Sequence, residues 1–226
     1  MYPRRGMGRR EVSSGVLPME QRRHLKAKIC LVGEAAVGKT SLIRRYVESQ
    51  FSDAYLMTIG VKVSKKRLEI PVPGEPVASL LELSVWDVMG QPKFRELLQE
   101  AYFTGVSGII GVADLTRPDT VTALYEWIDR VDRVTSQAPL ILAGNKADLV
   151  PKEKLRTGDI EGLAQAFHAE WRITSAKTGK NVEEVFQLLG GRIVDRAVKA
   201  RPMIGIARAG PPVPPAAGGA EASKTD

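Results

Sequence analysis

Cysteine is almost absent: Cys30 is the single thiol among 226 residues. One cysteine builds neither a disulfide framework nor a cysteine-rich zinc site. Its place in the apolar run Ile29-Cys30-Leu31-Val32 reads as a buried structural thiol, which suits a reducing cytoplasm. No run of about 18 apolar residues occurs, so no membrane-spanning helix is expected. The N-terminus has no apolar stretch of the secretory kind, and Glu11 and Glu20 interrupt its arginines without a readable amphipathic helix. Histidine is scarce too. His24 and His168 lie far apart in sequence and outside any motif, which gives no support to a dyad. Trp127 and Trp171 read as packing residues rather than ligand platforms.

A net charge of +7 raises the question of a nucleic-acid partner. Its distribution answers against one. Residues 1–28 hold eight basic side chains against Glu11 and Glu20, and residues 199–226 hold four against Glu221 and Asp226. The basicity belongs to the ends, and the body between them is close to neutral. Residues 1–24 have no periodicity and read as a basic, disordered arm, able at most to touch anionic lipid weakly. Residues 201–226 turn to Pro, Gly and Ala and read as a disordered tail with polyproline II character. Residues 25–200 are left as one globular domain.

Within that domain, short apolar runs alternate with longer amphipathic stretches. Strands are expected near 27–32, 60–70, 79–88, 108–113, 139–143 and 170–174. The Pro/Gly-rich turn at 71–76 makes the second and third of these an antiparallel hairpin. The continuous apolar runs at 108–113 and 139–143 suit strands covered on both faces. Helices are expected near 39–50, 92–103, 118–135, 157–168 and 181–199. The alternation predicts an α/β fold: a six-stranded, mainly parallel sheet with one antiparallel edge strand, flanked by about five helices.

The strongest motif runs from Gly33 through Glu34, Ala35, Ala36, Val37, Gly38 and Lys39 to Thr40. It matches G-x-x-x-x-G-K-T, between an expected strand and an expected helix. Glycines let the backbone curl so that successive N–H groups face phosphate oxygens, and the helix N-terminus adds partial positive charge. Lys39 offers an ammonium to the outer phosphates. Thr40 offers a hydroxyl to Mg2+, which prefers oxygen ligands. The loop alone does not separate ATP from GTP, or hydrolysis from kinase chemistry.

Asp87 ends an apolar strand beside that loop, where it can hold a magnesium-bound water. Gly90 leaves room for a backbone N–H to approach a terminal phosphate, and Gln91 can orient an attacking water. Asn145-Lys146-Ala147-Asp148 follows another apolar strand. A carboxylate accepts two coplanar hydrogen bonds, and guanine presents two coplanar donors where adenine presents an acceptor. A site built on such pairing rejects the wrong analogue by about 10^4–10^5-fold. Asn145 would tie this loop to the phosphate loop, and the stem of Lys146 would cover the base. Ser175-Ala176-Lys177 follows the last short strand, where the Ala176 N–H could donate to the guanine carbonyl. Phe51, Tyr55 and Thr58 lie between the first helix and the hairpin. Phe51 could stack on the base, and Thr58 could give magnesium a second hydroxyl. Ser41, beside Thr40, completes the candidate nucleotide contacts.

Taken together, these five elements resemble the Ras superfamily of small GTPases, most of all the Rab-like branch, over about residues 26–198. The resemblance implies a three-layer P-loop NTPase fold and a GTP/GDP switch. Gly33 to Thr40 takes the phosphate loop, Thr58 the first switch, and Gly90 and the catalytic Gln91 the second. Magnesium would be held by Thr40, Thr58 and Asp87. Protein effectors and regulators would bind around residues 51–62 and 87–103, and the chain would be a monomer. Val88-Met89 stands where the family usually has Thr-Ala, Pro92 where it has an acidic residue, and Ala35 where some relatives have glycine. These departures motivate an alternative reading, a nucleotide-binding scaffold with little or no hydrolysis. The C-terminal Ser223-Lys224-Thr225-Asp226 carries no prenylated cysteine. The Arg- and Pro-rich composition is similar to that expected of a lipid-free prokaryotic or archaeal type.

Overall fold

The computed structural model describes residues 22–53, 61–88, 102–135, 137–151, 155 and 157–200. The chain runs β1 (His24–Val32), α1 (Lys39–Glu48), β2 (Val61–Ile70), β3 (Ser79–Val88) and β4 (Val106–Asp114). It continues through α2 (Asp119–Thr135), β5 (Leu140–Asn145), α3 (Gly158–Ala166), β6 (Glu170–Ile173) and α4 (Val182–Ala200). A short 3-10 turn at Ala147–Leu149 follows β5. The six strands form one sheet in the order β2-β3-β1-β4-β5-β6. β2 is antiparallel to β3 and the remaining pairs are parallel. This is the expected α/β architecture. Four α-helices are present among the described residues. The fifth expected helix, at 92–103, falls outside them apart from positions 102 and 103.

Alternation along β1 explains the layers. Ile29 and Leu31 enter a core shared with Leu42, Ile43 and Tyr46 of α1 and Phe186 and Leu189 of α4. Cys30 and Val32 enter the opposite core, with Leu124 and Ile128 of α2 and Ile160 of α3. Both faces of β1 are covered over residues 29–32, which is why that stretch is continuously apolar. On α1, Leu42, Ile43 and Tyr46 are spaced to share one face, and the Tyr46 and Phe186 rings stack at 3.8 Å between centroids. The helix stops at Ser49, whose φ of 56° is left-handed and whose N–H returns to the Arg44 and Arg45 carbonyls. On α2, Leu124 is fully buried, a contribution of about 1.5–3 kcal/mol.

β1 begins at His24, three residues before the apolar pattern becomes readable. Pairing with β3 extends it: His24 is opposite Leu80, and the Leu80 N–H donates to the Arg23 carbonyl at 2.8 Å. The Arg23 guanidinium grips the Glu75 carboxylate at the hairpin turn (2.9 Å), and Arg22 reaches Glu69 at 3.0 Å. Ladder hydrogen bonds and ion pairs, not apolar burial, set this boundary, so periodicity does not reveal it.

Cys30 is buried as expected, and burial pushes its thiol up to about 12. No helix among the described residues is long and apolar enough to cross a membrane. The sheet order reverses at β1, with β3 on one side and β4 on the other. In such sheets the crevice beyond the carboxyl ends of the strands at this point receives ligands. The loops after β1, β4 and β5 open there.

Candidate functional site

The loop after β1 needs its glycines. Gly33 has a φ of 138°, and a Cβ there would collide with the Val112 carbonyl oxygen. Gly38 has a φ of 102°, and a Cβ there would collide with the Asn145 side-chain amide. Ala36, between them, is itself left-handed at 61°. Gly38 is the N-cap of α1 and brings no side-chain cap, and no acidic residue stands in the first turn. The helix therefore turns an uncapped set of N–H groups and its positive end toward the loop, a ready anion site.

Lys39 is 7% exposed, and its ammonium donates to the Gly33 carbonyl (2.7 Å) and the Glu34 carbonyl (2.9 Å). Burial lowers it to about 8, and the nearby Asp87 opposes that shift. Thr40 donates its hydroxyl to Asp87 Oδ2 at 2.6 Å. Asp87 is 2% exposed. Burial raises its carboxyl above the usual range, against the bond from Thr40 and the charge of Lys39. Its Oδ1 is buried without a hydrogen-bond partner among the described residues. An orphaned carboxylate oxygen beside a threonine hydroxyl is the donor chemistry of a hard divalent cation. The residues present fit magnesium.

The loop after β5 is fastened from several sides. Asn145 is 1% exposed. Its amide donates to the Val37 carbonyl at 2.9 Å, tying the two loops as the sequence suggested. Its carbonyl oxygen accepts from the Thr174 hydroxyl (3.3 Å) and the Ala176 N–H (3.2 Å). The N–H read from the sequence as the donor to the base is thus bonded to Asn145 in this structure. Asp148 is exposed and accepts from the Ser175 hydroxyl at 2.5 Å, which aims its carboxylate. Lys146, left-handed at a φ of 66°, pairs with the buried Asp114 at 2.7 Å. Phe51 is half-buried against the α1–α4 core, with the Arg45 guanidinium 5.9 Å from its ring centre. Ser41 is half-buried, and Lys177 is exposed and pairs with Asp53 at 3.2 Å. The structure thus gathers residues 33–41, 51, 87, 145–148 and 175–177 at one end of the sheet. Tyr55, Thr58, Gly90 and Gln91 lie outside the described residues.

Three participants escaped the sequence reading. Asp114 ends β4 much as Asp87 stands one residue before the end of β3, an acid at the close of a buried strand, and that parallel was the available signal. Burial works to raise its carboxyl. Bonds from Lys146, Thr116 and Arg117 outweigh burial and hold it below the usual carboxylate range. Arg117 joins Asp114 to the Ala35 carbonyl. Arg45 donates to the Ala176 carbonyl (2.7 Å) and the Lys177 carbonyl (2.5 Å), bracing the loop after β6. Neither arginine carries a sequence signal, since each binds backbone oxygens far away in the chain. Trp127, buried as expected, also donates its indole N–H to Glu34 at 3.2 Å.

Residues 28–195 match the family model described as the Ras family. The chain belongs to the Ras family. Among its curated relatives, Ras-related protein Rab-1A of Dictyostelium discoideum is 30% identical over 180 residues, covering 79% of this chain and 86% of the relative. Ras-related protein Rab-1D of the same organism is 32% identical over 170 residues, covering 75% and 80%. GTP-binding protein YPTM2 of Zea mays is 31% identical over 182 residues, covering 77% and 86%. These likenesses place the chain with the Rab-like Ras-family proteins. It is a small GTP-binding protein and a GTPase that acts as a switch.

Proposed function

We propose that this Ras-family switch reads guanine through Asp148 and Asn145 and holds its phosphates on the loop from Gly33 to Thr40. In this reading it retains magnesium through Thr40, Asp87 and Thr58. The observation that carries the proposal is the cluster of Lys39, Thr40 and Asp87 at the uncapped start of α1. Bound magnesium would neutralise charge on the outer phosphate oxygens. Lys39 exchanges the Gly33 and Glu34 carbonyls for those oxygens, and their charge returns it to full protonation. Asp148 accepts two coplanar donors of the base while the Ser175 hydroxyl holds its orientation. The Ala176 N–H adds a bond to the base carbonyl by sharing the donor now directed at Asn145. Lys146 covers one face of the ring and Phe51 flanks another, with Tyr55 and Lys177 at the rim.

Gln91 orients the attacking water. Lys39 and the loop N–H groups, from Glu34 to Ser41, stabilise charge on the transferring phosphoryl group. Loss of the third phosphate frees Thr58 and Gly90, and the segments around them relax. Turnover without a partner is slow, because a partner's arginine is typically worth about 10^3–10^5 in rate. Effectors and regulators read residues around 51–62 and 87–103. The protein works as a cytoplasmic monomer, with no specific nucleic acid and weak contact of the basic arm 1–24 with anionic membranes.

The test is GDP release from the full chain with magnesium and with excess chelator. Release that quickens on chelation, and much less so in Thr40→Ala, supports the cation site. Release indifferent to magnesium refutes it.

A further inference from the structure

The loop between β4 and α2 contributes a connection that the nucleotide motifs do not contain. Asp114 is 1% exposed and gathers four donors. Thr116 gives Oδ1 its N–H (3.0 Å) and its hydroxyl (2.6 Å). Lys146 gives Oδ2 its ammonium (2.7 Å), and Arg117 gives Oδ2 its Nε (3.1 Å). The other arm of the same guanidinium donates to the Ala35 carbonyl at 2.9 Å. A chain of bonds therefore runs Lys146–Asp114–Arg117–Ala35, from the base-reading loop to the phosphate loop.

The last link has a geometric consequence. The carbonyl of Ala35 and the N–H of Ala36 belong to one planar trans peptide and point in opposite directions. A guanidinium that fixes the carbonyl on one side fixes the N–H toward the other. Ala36 is a non-glycine residue held left-handed, so its peptide orientation is not the one the local backbone favours by itself. The planar fork of arginine suits this task, because its two arms have a fixed relative direction.

We propose that Arg117 is a positioning residue of the nucleotide site: anchored on Asp114, it holds the Ala35 carbonyl so that the Ala36 N–H faces the nucleotide phosphates. The proposal rests on the reading of residues 33–40 as the phosphate loop and of Lys146 as the lysine that covers the base. Arg117 acts on phosphate contacts alone, whereas Asp114, which also holds Lys146, acts on both phosphates and base.

The test compares affinity for GDP with affinity for guanosine, each by competition against fluorescent GDP on the full chain with magnesium. Guanosine keeps the base and lacks the phosphates. Arg117→Ala is expected to weaken GDP by about tenfold, the scale of one charge-assisted hydrogen bond, and to leave guanosine within about twofold. Arg117→Gln, which keeps a longer stem, is read in the same way and guards against a folding defect in the alanine variant. Asp114→Asn is expected to weaken both ligands. Equal losses for GDP and guanosine in both Arg117 variants mean a general structural role and overturn the proposal. So does GDP affinity unchanged in both. A wild-type chain that fails to bind GDP overturns the underlying reading as well, which separates the two failures.

Discussion

Asn145→Ala is the perturbation with the widest consequences at this site. The side chain is 1% exposed and makes three bonds: to the Val37 carbonyl at 2.9 Å, from the Thr174 hydroxyl at 3.3 Å and from the Ala176 N–H at 3.2 Å. Alanine removes all three. Thr174 retains only a long contact to the Gly144 carbonyl at 3.5 Å, and Val37 and Ala176 are left buried. Each orphaned group costs about 1–3 kcal/mol. Partial relaxation reduces the sum, so a net loss of roughly 3–4 kcal/mol is expected. If that loss appears in the nucleotide-bound state, GDP dissociates about 10^2–10^3-fold faster, at tenfold per 1.4 kcal/mol. The assay is displacement of a fluorescent GDP by excess unlabelled GDP in magnesium buffer. A dissociation rate within fivefold of wild type would refute the view that Asn145 holds the two loops together.

Gly38→Ala forces a left-handed alanine against the Asn145 amide and is expected to abolish tight nucleotide binding, checked by the nucleotide content of the purified chain. Asp148→Asn exchanges one acceptor for a donor and is expected to lower the affinity for GDP by about 10^2-fold or more and to gain affinity for xanthosine diphosphate, whose ring offers a carbonyl at that edge; competition binding reads both. Cys30, pushed up to about 12 by burial, stays a thiol at pH 8, so a thiol-reactive dye should label the protein only in denaturant. Its raised value also fixes a sign. The contribution to stability is full below the unfolded thiol's pKa of about 9 and is lost as pH rises toward 12. Cys30→Ser should flatten that part of a denaturation-versus-pH curve.

The sequence was most legible where chemistry demands a residue type at a fixed spacing. A curled phosphate loop requires Gly33 and Gly38, and the collisions a Cβ would meet show why. The proposed reading of guanine calls for a carboxylate, and the structure leaves Asp148 exposed with Ser175 beside it. The sheet was legible for a similar reason, since strands covered on both faces must be continuously apolar. Arg45 and Arg117 were not legible. They bind backbone carbonyls 131 and 82 residues away, and a carbonyl leaves no mark on the side-chain pattern. The start of β1 was hidden because the Arg22 and Arg23 ion pairs look, in sequence, like a solvated basic run. Asp114 was legible in principle, as a second buried strand ending in an acid.

The most direct measurement is single-turnover phosphate release by the full chain in magnesium, from GTP and from ATP in parallel, for wild type and Gln91→Leu. Slow release of one phosphate per chain is expected from GTP, little from ATP, and a marked slowing on GTP in the variant. Equal release from ATP, or hydrolysis of GTP unchanged by Gln91→Leu, would contradict that expectation.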